Sequence, residues 1–507
     1  MPISASVAVG MVNELYAELA TRRTGIASEE AYFRGDQPLR FASEKWREWH
    51  ASRYVGFSDN WCQPVAAAPN DRLRAIGFRL DDEPKRSDAE KLLWSWWQGN
   101  DMDAQSSQGW LHSIVTSRSF VLVWGDDDDQ PTATWERSDQ VIVATDPERP
   151  NRRLAALKTW HDGTTEFATL YTADEVWKFS RHYSMSTRAV TEKVIVPPGS
   201  AAEGFFNQET PTGLVIPGAV ESGGWTERRG RADNTWPLPN PIGVVPVVEM
   251  PNRPLLGAEP LSEISGTRAM QDAINLQWAY LFNASDHASF SARVVMGQEP
   301  PKIPILDENG QKIGEKSVDL KKLSEDRILW LTGQNTKIAQ WDVAKLDVFT
   351  QVIEVAVAHI AAQTRTPPHF MLLGKGLVNV GPDGIKAAAD GLVNKVGEMH
   401  LYLAPPTREV FRLMALAAGD KGLAQQARAG VVQWKDAENH SQTQLVDAIG
   451  KLGAVGFPFE WLAEQYGLSQ TEIARVMAMR AAQAAADPLG QIARGINPPV
   501  LTDGLPI

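Results

Sequence analysis

The sequence predicts an α+β protein in which helical segments flank a β-rich region. Apolar residues recur at spacings of three and four in the first 115 residues and at a spacing of two between residues 116 and 250. Helical spacing returns after about residue 259. The 507 residues, 43% hydrophobic and 22% charged, are enough to bury several domain-sized cores.

The first 115 residues are predicted to be mainly helical. The stretches MVNELYAELATR, SEKWREW and SDAEKLLWSWWQGND have helical spacing, and the third places Leu92, Leu93 and Trp96 or Trp97 on one face. The chain has 18 tryptophans, and this cluster offers surfaces on which nucleic-acid bases stack. The helical spacing favours packing or a subunit contact instead.

Residues 116 to 250 are predicted to form an antiparallel meander. The segments SFVLVW, QVIVAT, LAALKTW, EFATLY and EVWKFS alternate apolar and polar residues and are separated by turn residues. The four aspartates 126–129 lack an EF-hand pattern around them, so they are interpreted as a solvated hairpin tip. The proline-rich stretch 237–254 is predicted to be a connector with an edge strand.

Two helices are predicted on either side of a small mixed island. The first runs from about Glu259 to Asp286, and the second from Asp347 to Arg365, where Pro367 and Pro368 stop it. The second is about 28 Å long at 1.5 Å per residue. Between them, residues 291–343 contain the hairpin signal Asn309-Gly310 and the strand pattern RILWLTG.

A glycine-rich stretch, MLLGKGLVNVGPDGIKAAA, follows the second helix. Its spacing fits neither a Walker A loop nor the dinucleotide fingerprint. A helical face then continues to Pro405-Pro406, where we expect a split or kink, and a further helix ends at Gly419. Later helices begin at the capping boxes SQTQ (441–444) and SQTE (469–472), and the residues after 487 are expected to be loosely ordered.

The charge and the motifs of the sequence exclude several classes of protein. The net charge of −12 disfavours tight binding of a polyanion, and the single cysteine, Cys62, allows no intramolecular disulfide. The first residues lack a basic segment and no long uncharged apolar run follows, so we expect neither a secretory signal nor a membrane span. HExxH, GxSxG and Walker A motifs are absent from the sequence, so we expect no enzyme activity, metal site or cofactor.

One stretch leaves a rival function open. EWLAEQYGLSQTEIARVM has the helix, glycine turn and helix of a helix-turn-helix. Its second helix contains Arg475 and Arg480 together with Glu472 and an alanine run. This helix therefore has few side chains that can contact DNA. A C-terminal helix-turn-helix DNA-binding protein is therefore the alternative function.

The order of several segments resembles the portal proteins of tailed bacteriophages, specifically the Gp6-like group of siphophage portals of actinobacteriophage type. The segments are YFRGDQPLRF, SDNWCQPVAAAPNDRLRAIGFRL, WQGNDMDAQS, SRSFVLVW, NPIGVVPVVEMPNRP and GLVNVGPDGIKAAADGLVNKV. The resemblance covers the chain from about Glu29 to about Arg480. It depends on the number and order of these segments rather than on any one motif.

The resemblance implies a dodecameric ring at one capsid vertex, acting as the channel for DNA packaging and ejection. It implies a portal fold with the following regions: wing 1–255, first stem helix 256–290, clip 291–343, second stem helix 344–366, tunnel loop and wing helices 367–435, helical crown 436–487, and flexible tail 488–507. The implied partners are other copies of the chain, duplex DNA without sequence specificity, the terminase large subunit, the major capsid and scaffolding proteins, and a head completion or adaptor protein. The implied location is the virion, after assembly in the host cytoplasm.

The resemblance also assigns two sets of site residues. The glycine-rich stretch becomes a tunnel loop facing DNA, with Gly374, Lys375, Gly376, Asn379, Gly381, Asp383, Gly384 and Lys386. The clip surface expected to bind partners carries Lys312, Lys316, Lys321 and Lys322. An ordinary flexible helix connector remains the alternative for the glycine loop, and a solvated basic face the alternative for the lysines.

Overall fold

The computed structural model describes residues 3–37, 57–80, 86–125, 130–182, 184–192, 210–220, 223–230, 235–289, 293–296, 302–306, 311–317, 328–331, 337–340, 345–371, 382–438 and 442–486. Helices and mainly antiparallel strands share the chain, which confirms the predicted α+β class. The predicted helix SEKWREW and the end of the chain after 486 lie outside the described residues.

The helices are labelled in chain order. They are α1 (Ala5–Arg34), α2 (Cys62–Asn70), α3 (Asp88–Gly99), α4 (Met102–Thr116), α5 (Arg268–Ser289), α6 (Asp347–Thr364), α7 (Pro368–Met371), α8 (Pro382–Ala417), α9 (Lys421–Ala427), α10 (Gln442–Ala454), α11 (Phe459–Gln465) and α12 (Gln470–Ala486). A 3-10 turn, Ser265–Thr267, leads into α5.

The strands are labelled in the same way. They are β1 (Ala75–Arg79), β2 (Arg118–Gly125), β3 (Pro131–Glu136), β4 (Val141–Asp146), β5 (Arg149–Asp162), β6 (Thr165–Thr172), β7 (Glu175–His182), β8 (Ser184–Glu192), β9 (Thr210–Val220), β10 (Thr226–Glu227), β11 (Leu238–Pro239), β12 (Val247–Pro251), β13 (Arg293–Met296), β14 (Lys302–Leu306), β15 (Lys312–Ser317), β16 (Ile328–Leu331), β17 (Lys337–Gln340) and β18 (Val431–Trp434).

The five segments quoted for the predicted meander divide between two sheets, and β8 pairs with β9 in a third. Strands β4 to β7 pair consecutively, as predicted, but β2 lies between β3 and the distant β12. A period of two identifies a strand but not its partner, so the prediction of one meander from residue 116 was wrong. Strand β12 is an edge strand, as the proline-rich sequence predicted. Strands β2 and β3 pair as far as Gly125 and Pro131, and the aspartates 126–129 between them lie outside the described residues.

Helix α1 connects two hydrophobic cores. It begins at Ser4, whose side chain accepts a hydrogen bond from the Val7 amide, and ends at Gly35, where φ is +80°. Val12 and Leu19 in its first part pack on the β4–β7 sheet. Tyr32 near its end joins the main core, which is formed by most of the helices. The helix therefore couples the sheet to the rest of the chain.

A stack of aromatic rings lies in the main core. Phe411 of α8 stacks on Phe78 of β1 at a centroid distance of 4.2 Å and on Trp97 of α3 at 5.2 Å. Trp94 and Trp97 are buried together with Leu93, whereas Leu92 is 44% exposed, so the predicted apolar face was displaced by about one residue. The buried face follows the rings that contact Phe411. Packing, rather than stacking on bases, is confirmed for Trp94 and Trp97.

The two long helices around the island differ in how well the sequence located them. Helix α6 begins at Asp347 as predicted and ends one residue before the predicted Arg365, where φ is +54°. Helix α5 begins at Arg268, well after the predicted Glu259. The residues before it are tied to α4 instead, because the Ser262 hydroxyl donates to the Val115 carbonyl at 2.6 Å. These tertiary contacts prevent an earlier start.

Helix α8 continues through Pro405 and Pro406, so the predicted split was wrong, and the kink that was its alternative stays a prediction. A proline in a helix interior costs about 3 kcal/mol because it removes an N–H donor and crowds the preceding turn. Leu403 before the prolines and Val410 after them are both buried, at 2% and 0% exposure. Burial of the helix face on both sides offsets the cost of the prolines and keeps the helix continuous.

The island between the long helices consists of strands in its described residues. Strand β13 pairs in parallel with β16 and antiparallel with β17, and β14 pairs with β15 up to Leu306 and Lys312. The β14–β15 pairing agrees with a hairpin at Asn309-Gly310, although residues 307–310 are outside the described part. The sequence predicted an island of mixed character, and the described residues of this segment include strands but no helix.

The C-terminal helices are attached to the body through β1 and β18. Strand β18 pairs antiparallel with β1, with Phe78 opposite Val432. The capping box that begins α12 is confirmed: the Ser469 amide donates to Glu472 at 2.8 Å, and the Glu472 amide donates to the Ser469 hydroxyl at 3.4 Å. The Ser441 box lies outside the described residues.

Candidate functional site

The paired helices α5 and α6 form the frame of the candidate site, since they lead into and out of the strand island. Ile274 of α5 and Val357 and Ile360 of α6 are buried in the main core. On the opposite side of α6, Val348, Val352 and Val355 are 51%, 45% and 57% exposed at spacings of four and three. This apolar stripe, called the α6 valine stripe below, faces solvent in the single chain.

Polar side chains anchor α5 to the segment before α2. Gln271 donates to the Asp59 carbonyl at 2.6 Å and accepts from the Trp61 amide at 2.7 Å. The Asp59 carboxylate accepts from the indoles of Trp61 at 3.0 Å and Trp278 at 2.7 Å. Because Gln271 is fully buried, these bonds fix the position of α5 on the body.

A buried ion pair joins α8 to both long helices. The Lys395 ammonium lies 2.6 Å from the Glu263 carboxylate just before α5, and donates to the Thr364 carbonyl at the end of α6 at 3.0 Å. Both charged side chains are only 2–3% exposed. Burial lowers the pKa of Lys395, and the Glu263 carboxylate opposes that shift. We call this contact the Lys395 junction.

A second ion pair lies beside the Lys395 junction. Arg365, at the left-handed end of α6, donates to both carboxylate oxygens of Glu398 at 2.8 and 2.7 Å. The hydrogen bond from Arg365 lowers the pKa of Glu398. Sequence reasoning missed this region. A signal was present, because Lys395 falls on the apolar face that includes Leu392 and Val396 of α8, where an unpaired charge is costly.

Most of the predicted tunnel-loop residues cannot be placed. Gly374, Lys375, Gly376, Asn379 and Gly381 lie outside the described residues. Asp383, Gly384 and Lys386 belong to the first turns of α8, which begins at Pro382, a favoured first residue of a helix. On the other side of the loop, Met371 is buried in the main core. Both ends of the loop therefore start from helices of the body.

The predicted clip lysines are divided between described and undescribed positions. Lys312 and Lys316 belong to β15, opposite Leu306 and Ile303 of β14. Lys321 and Lys322 lie outside the described residues. The part of the chain that the structure describes does not bring either set of predicted site residues together, so both assignments remain predictions.

One arrangement has the residue types of a hydrolase triad. The His112 Nε2 atom lies 2.9 Å from the Ser138 hydroxyl, and its Nδ1 lies 3.7 Å from the Glu30 carboxylate. However, the Ser138 amide also donates to Nε2 at 3.0 Å, and Ser138 is 1% exposed. A buried serine that substrate cannot reach is not a nucleophile, so the arrangement is structural.

The described residues also contain no metal site, because no group of His, Cys, Asp and Glu side chains among them is arranged to hold an ion. Cys62 is fully buried, with its sulfur 3.6 Å from the Thr267 hydroxyl, and burial raises the pKa of its thiol to about 12. Among the described helices, none has the length and apolarity needed to cross a bilayer.

The helix-turn-helix shape is present, but the start of its second helix packs against the body of the protein. In DNA-binding proteins of this type, the first residues of the second helix contact base edges. Here Gln470 is 3% exposed and accepts from the Phe78 amide at 3.3 Å, while Thr471 accepts from the Trp94 indole at 3.2 Å. Since this end of α12 packs on α3 and β1, the geometry disfavours a DNA-reading role.

Comparisons with known proteins agree with one another. The family model described as phage portal protein, SPP1 Gp6-like, matches residues 59–484. A portal protein of Mycobacterium phage L5 is 25% identical over 407 residues, which cover 79% of this chain and 72% of that protein. A portal protein of Mycobacterium phage D29 is 24% identical over 441 residues, covering 83% of this chain and 77% of the relative.

Proposed function

Because the chain belongs to the SPP1 Gp6-like family of phage portal proteins, we propose that it forms a closed dodecameric ring at one capsid vertex. The centre of the ring is the channel through which double-stranded DNA enters during packaging and leaves during ejection. A phage portal role follows from the family itself; the subunit number, the channel and the position at the vertex are the proposal.

The exposed α6 valine stripe is the observation that supports assembly into a ring. A single folded chain gains little by holding valines in water along a helix whose C-terminal end is fixed to the body. Closed rings form through heterologous contacts, in which one face of each subunit packs on a different face of the next. An apolar helix face beside the main core supports such a contact between stem helices of adjacent subunits.

The acidity of the chain supports a conduit rather than a DNA-binding protein. With a net charge of −12, the surface as a whole repels phosphate, and tight phosphate binding would oppose sliding. We propose that the tunnel loop lines the narrowest part of the channel. Its glycines supply backbone freedom, and Lys375, Asn379, Asp383 and Lys386 are the polar groups that face successive phosphates. Of these, the lysines and the Asn379 amide supply weak contacts.

The strand island is the proposed clip, which binds the packaging and head-completion machinery. Lys312 and Lys316 on β15, together with Lys321 and Lys322, offer positive charge on a predominantly acidic chain. We propose that they bind the terminase large subunit during packaging and the head completion protein afterwards. The wing and crown are the proposed contacts for the major capsid and scaffolding proteins.

Electron microscopy of negatively stained protein tests the proposal. Purified protein, and procapsids that contain it, should show rings with a central hole, formed without nucleotide or metal. A monomer in one purification buffer is not informative, because assembly of the ring can require the other capsid proteins. A stable dimer without rings, in procapsids as well as in solution, would contradict the proposal.

A further inference from the structure

The turn that precedes α5 displays two leucines in water. Leu256 is 106% exposed, more than any other large hydrophobic residue in the described part of the chain, and Leu255 is 47% exposed. Single exposed leucines are ordinary on protein surfaces, but two adjacent ones at the tip of a fixed turn are not. Residues 253–261 are called the leucine turn below.

The tip of the leucine turn has a defined shape. The Ala258 amide donates to the Leu255 carbonyl at 3.5 Å, and Gly257 has a φ of +72°, which suits glycine. Pro254 and Pro260 flank the tip and restrict the backbone further. The two leucines therefore protrude from a constrained turn rather than from a chain free to fold back on the body.

The base of the leucine turn is held by one bond within the turn and by bonds to two other parts of the chain. Asn252 is 2% exposed; its side-chain amide donates to the Leu261 carbonyl at 2.7 Å, and its oxygen accepts from the Tyr402 hydroxyl of α8 at 2.9 Å. Its backbone amide donates to the Ser117 carbonyl at 2.7 Å. These bonds close the base of the turn and connect it to α8 and to Ser117, which lies between α4 and β2.

Ion pairs hold both ends of the turn. Glu259 forms ion pairs with Arg118 and, at 3.3 Å, with Arg22 of α1. Arg253 lies 3.7 Å from Glu263, which also belongs to the Lys395 junction. The exposure of Leu256 is therefore maintained by contacts at both ends of the turn, and the same contacts connect it to the paired helices.

The energetics favour one kind of partner. Burying two leucines stabilises an interface only modestly, whereas association of two free molecules costs a large loss of translational and rotational freedom. The pair cannot hold an independent partner alone. It can contribute to an interface of about 800 Å² per partner that other contacts complete, as between neighbours of a closed ring.

The chain itself offers a second apolar face. A heterologous contact needs two different surfaces on one subunit, and the leucine turn and the α6 valine stripe are two different exposed apolar surfaces. Copies with a net charge of −12 repel one another, so apolar contacts must supply much of the attraction between them.

We propose that the leucine turn is a subunit interface, in which Leu255 and Leu256 of each copy pack against the adjacent copy of the same chain. The inference rests on the proposed ring and specifies one of its contacts. In this interface the clamped base provides a fixed geometry, so little conformational entropy is lost when the two leucines are buried.

Paired substitutions test the proposal. Leu255→Glu with Leu256→Glu adds the same charge as the control Leu92→Glu with Leu154→Glu, at two exposed leucines on α3 and β5. The leucine-turn variant should need a protein concentration at least roughly tenfold higher for half-assembly into rings, and the control should resemble wild type. Mass photometry measures assembly, and thermal unfolding of the unassembled chains checks the fold.

Thiol labelling provides a second measurement that does not depend on loss of assembly. Cys62 is buried, so a thiol introduced by Leu256→Cys is the reactive one. Its rate of maleimide labelling should fall at least roughly tenfold in rings relative to unassembled chains, as expected for a side chain buried by a neighbour. The thiol introduced by Leu92→Cys should react at the same rate in both.

The outcomes separate this inference from the proposed function. Absence of rings from the wild-type protein, in procapsids as well as in solution, would contradict the proposed function. Rings that assemble equally well from the leucine-turn variant, or that leave the Leu256→Cys thiol as reactive as in unassembled chains, would overturn the inference alone. Equal loss of assembly in the control variant would also overturn it, because added charge would then suffice.

Discussion

At the scale of single residues, His112 fastens α4 to the loop between β3 and β4. Its Nε2 accepts from the Ser138 amide at 3.0 Å, so this nitrogen carries no proton in the folded chain. Burial, together with the nearby Arg137 charge, lowers the pKa of His112 to about 4. A proton on Nε2 would break the bond to Ser138 and place a charge in the interior.

The protein should therefore lose stability as the pH falls from about 6.5 toward 4, since the unfolded chain binds this proton and the folded chain does not. The slope is at most about 1.4 kcal/mol per pH unit for one histidine. His112→Gln retains an acceptor for the Ser138 amide but cannot titrate. Its loss of unfolding free energy between pH 7 and pH 5 should be smaller than that of wild type by about 1–2 kcal/mol.

The pH dependence of stability must be compared between variants, because the titration of Glu29 changes the stability in the opposite direction. Burial raises the pKa of Glu29 to about 7, so the folded chain takes up this proton first and gains relative stability as the pH falls from 7 toward 4.5. That contribution is common to wild type and His112→Gln. Denaturant unfolding at several pH values measures the difference, with His359→Gln at an exposed site on α6 as control. Parallel curves for His112→Gln and wild type would contradict the assignment.

At the scale of elements, the C-terminal helices are attached to the body through few polar contacts. Gln470 accepts from the Phe78 amide and donates to the Glu90 carbonyl at 3.2 Å, and Arg86 forms an ion pair with Glu464 at 2.8 Å. These contacts join α11 and α12 to β1, to α3 and to Arg86 just before α3. The attachment of α11 and α12 should accordingly be weaker than the main core.

Gln470→Ala should loosen these helices without unfolding the chain. The substitution removes two hydrogen bonds at a buried site and leaves the Phe78 amide without this acceptor, at a cost of about 1–3 kcal/mol. Hydrogen exchange in α11 and α12 should accelerate while exchange in α4 and α8 is unchanged. Gln483→Ala, at an exposed position of the same helix, is the control. Equal exchange in both variants would show that Gln470 is not an anchor.

The tunnel loop is the element for which the proposed function makes the sharpest prediction. Replacing Gly376 and Gly381 with alanine restricts the backbone at a cost of roughly 1 kcal/mol or more where glycine-specific angles are needed. Rings should still form, and DNA filling of capsids should fall or stall. Lys375→Ala should have little effect, because one lysine adds a weak, salt-screened contact. Packaging by the double alanine variant at the wild-type rate would make the loop a plain connector.

At the scale of the whole molecule, the proposed clip and the body should be separable in function. Reversing Lys312, Lys316, Lys321 and Lys322 to glutamate should leave rings intact but abolish packaging or tail joining, because the packaging proteins lose their attachment. The control reverses four exposed lysines of the body, with the same change in net charge: Lys91, Lys421, Lys435 and Lys451. Capsid DNA content and infectivity measure the effect, and normal infectivity of the clip variant would reduce the lysines to a solvated basic face.

The sequence by itself determined the features that depend on neighbours in the chain. The spacing of apolar residues located α6 almost to the residue, alternation identified strands β4 to β7, and Ser469 with Glu472 predicted the start of α12. The family was also predicted from the sequence, because the order of many short segments is a property of the chain alone. The comparisons confirmed it.

Only the tertiary structure decided which distant segments meet. Alternation cannot distinguish β12 from β4 as the partner of β2, and helix propensity predicts a break at Pro405-Pro406 that burial of α8 on both sides overrides. The Lys395 junction and the leucine turn were not predicted from the sequence, because both depend on contacts between distant segments. A buried lysine requires its carboxylate from another helix, and a leucine is recognised as exposed only when the surrounding surface is known. Local patterns fix elements through short-range sterics and solvation, whereas pairing and exposure depend on contacts between residues far apart in the chain.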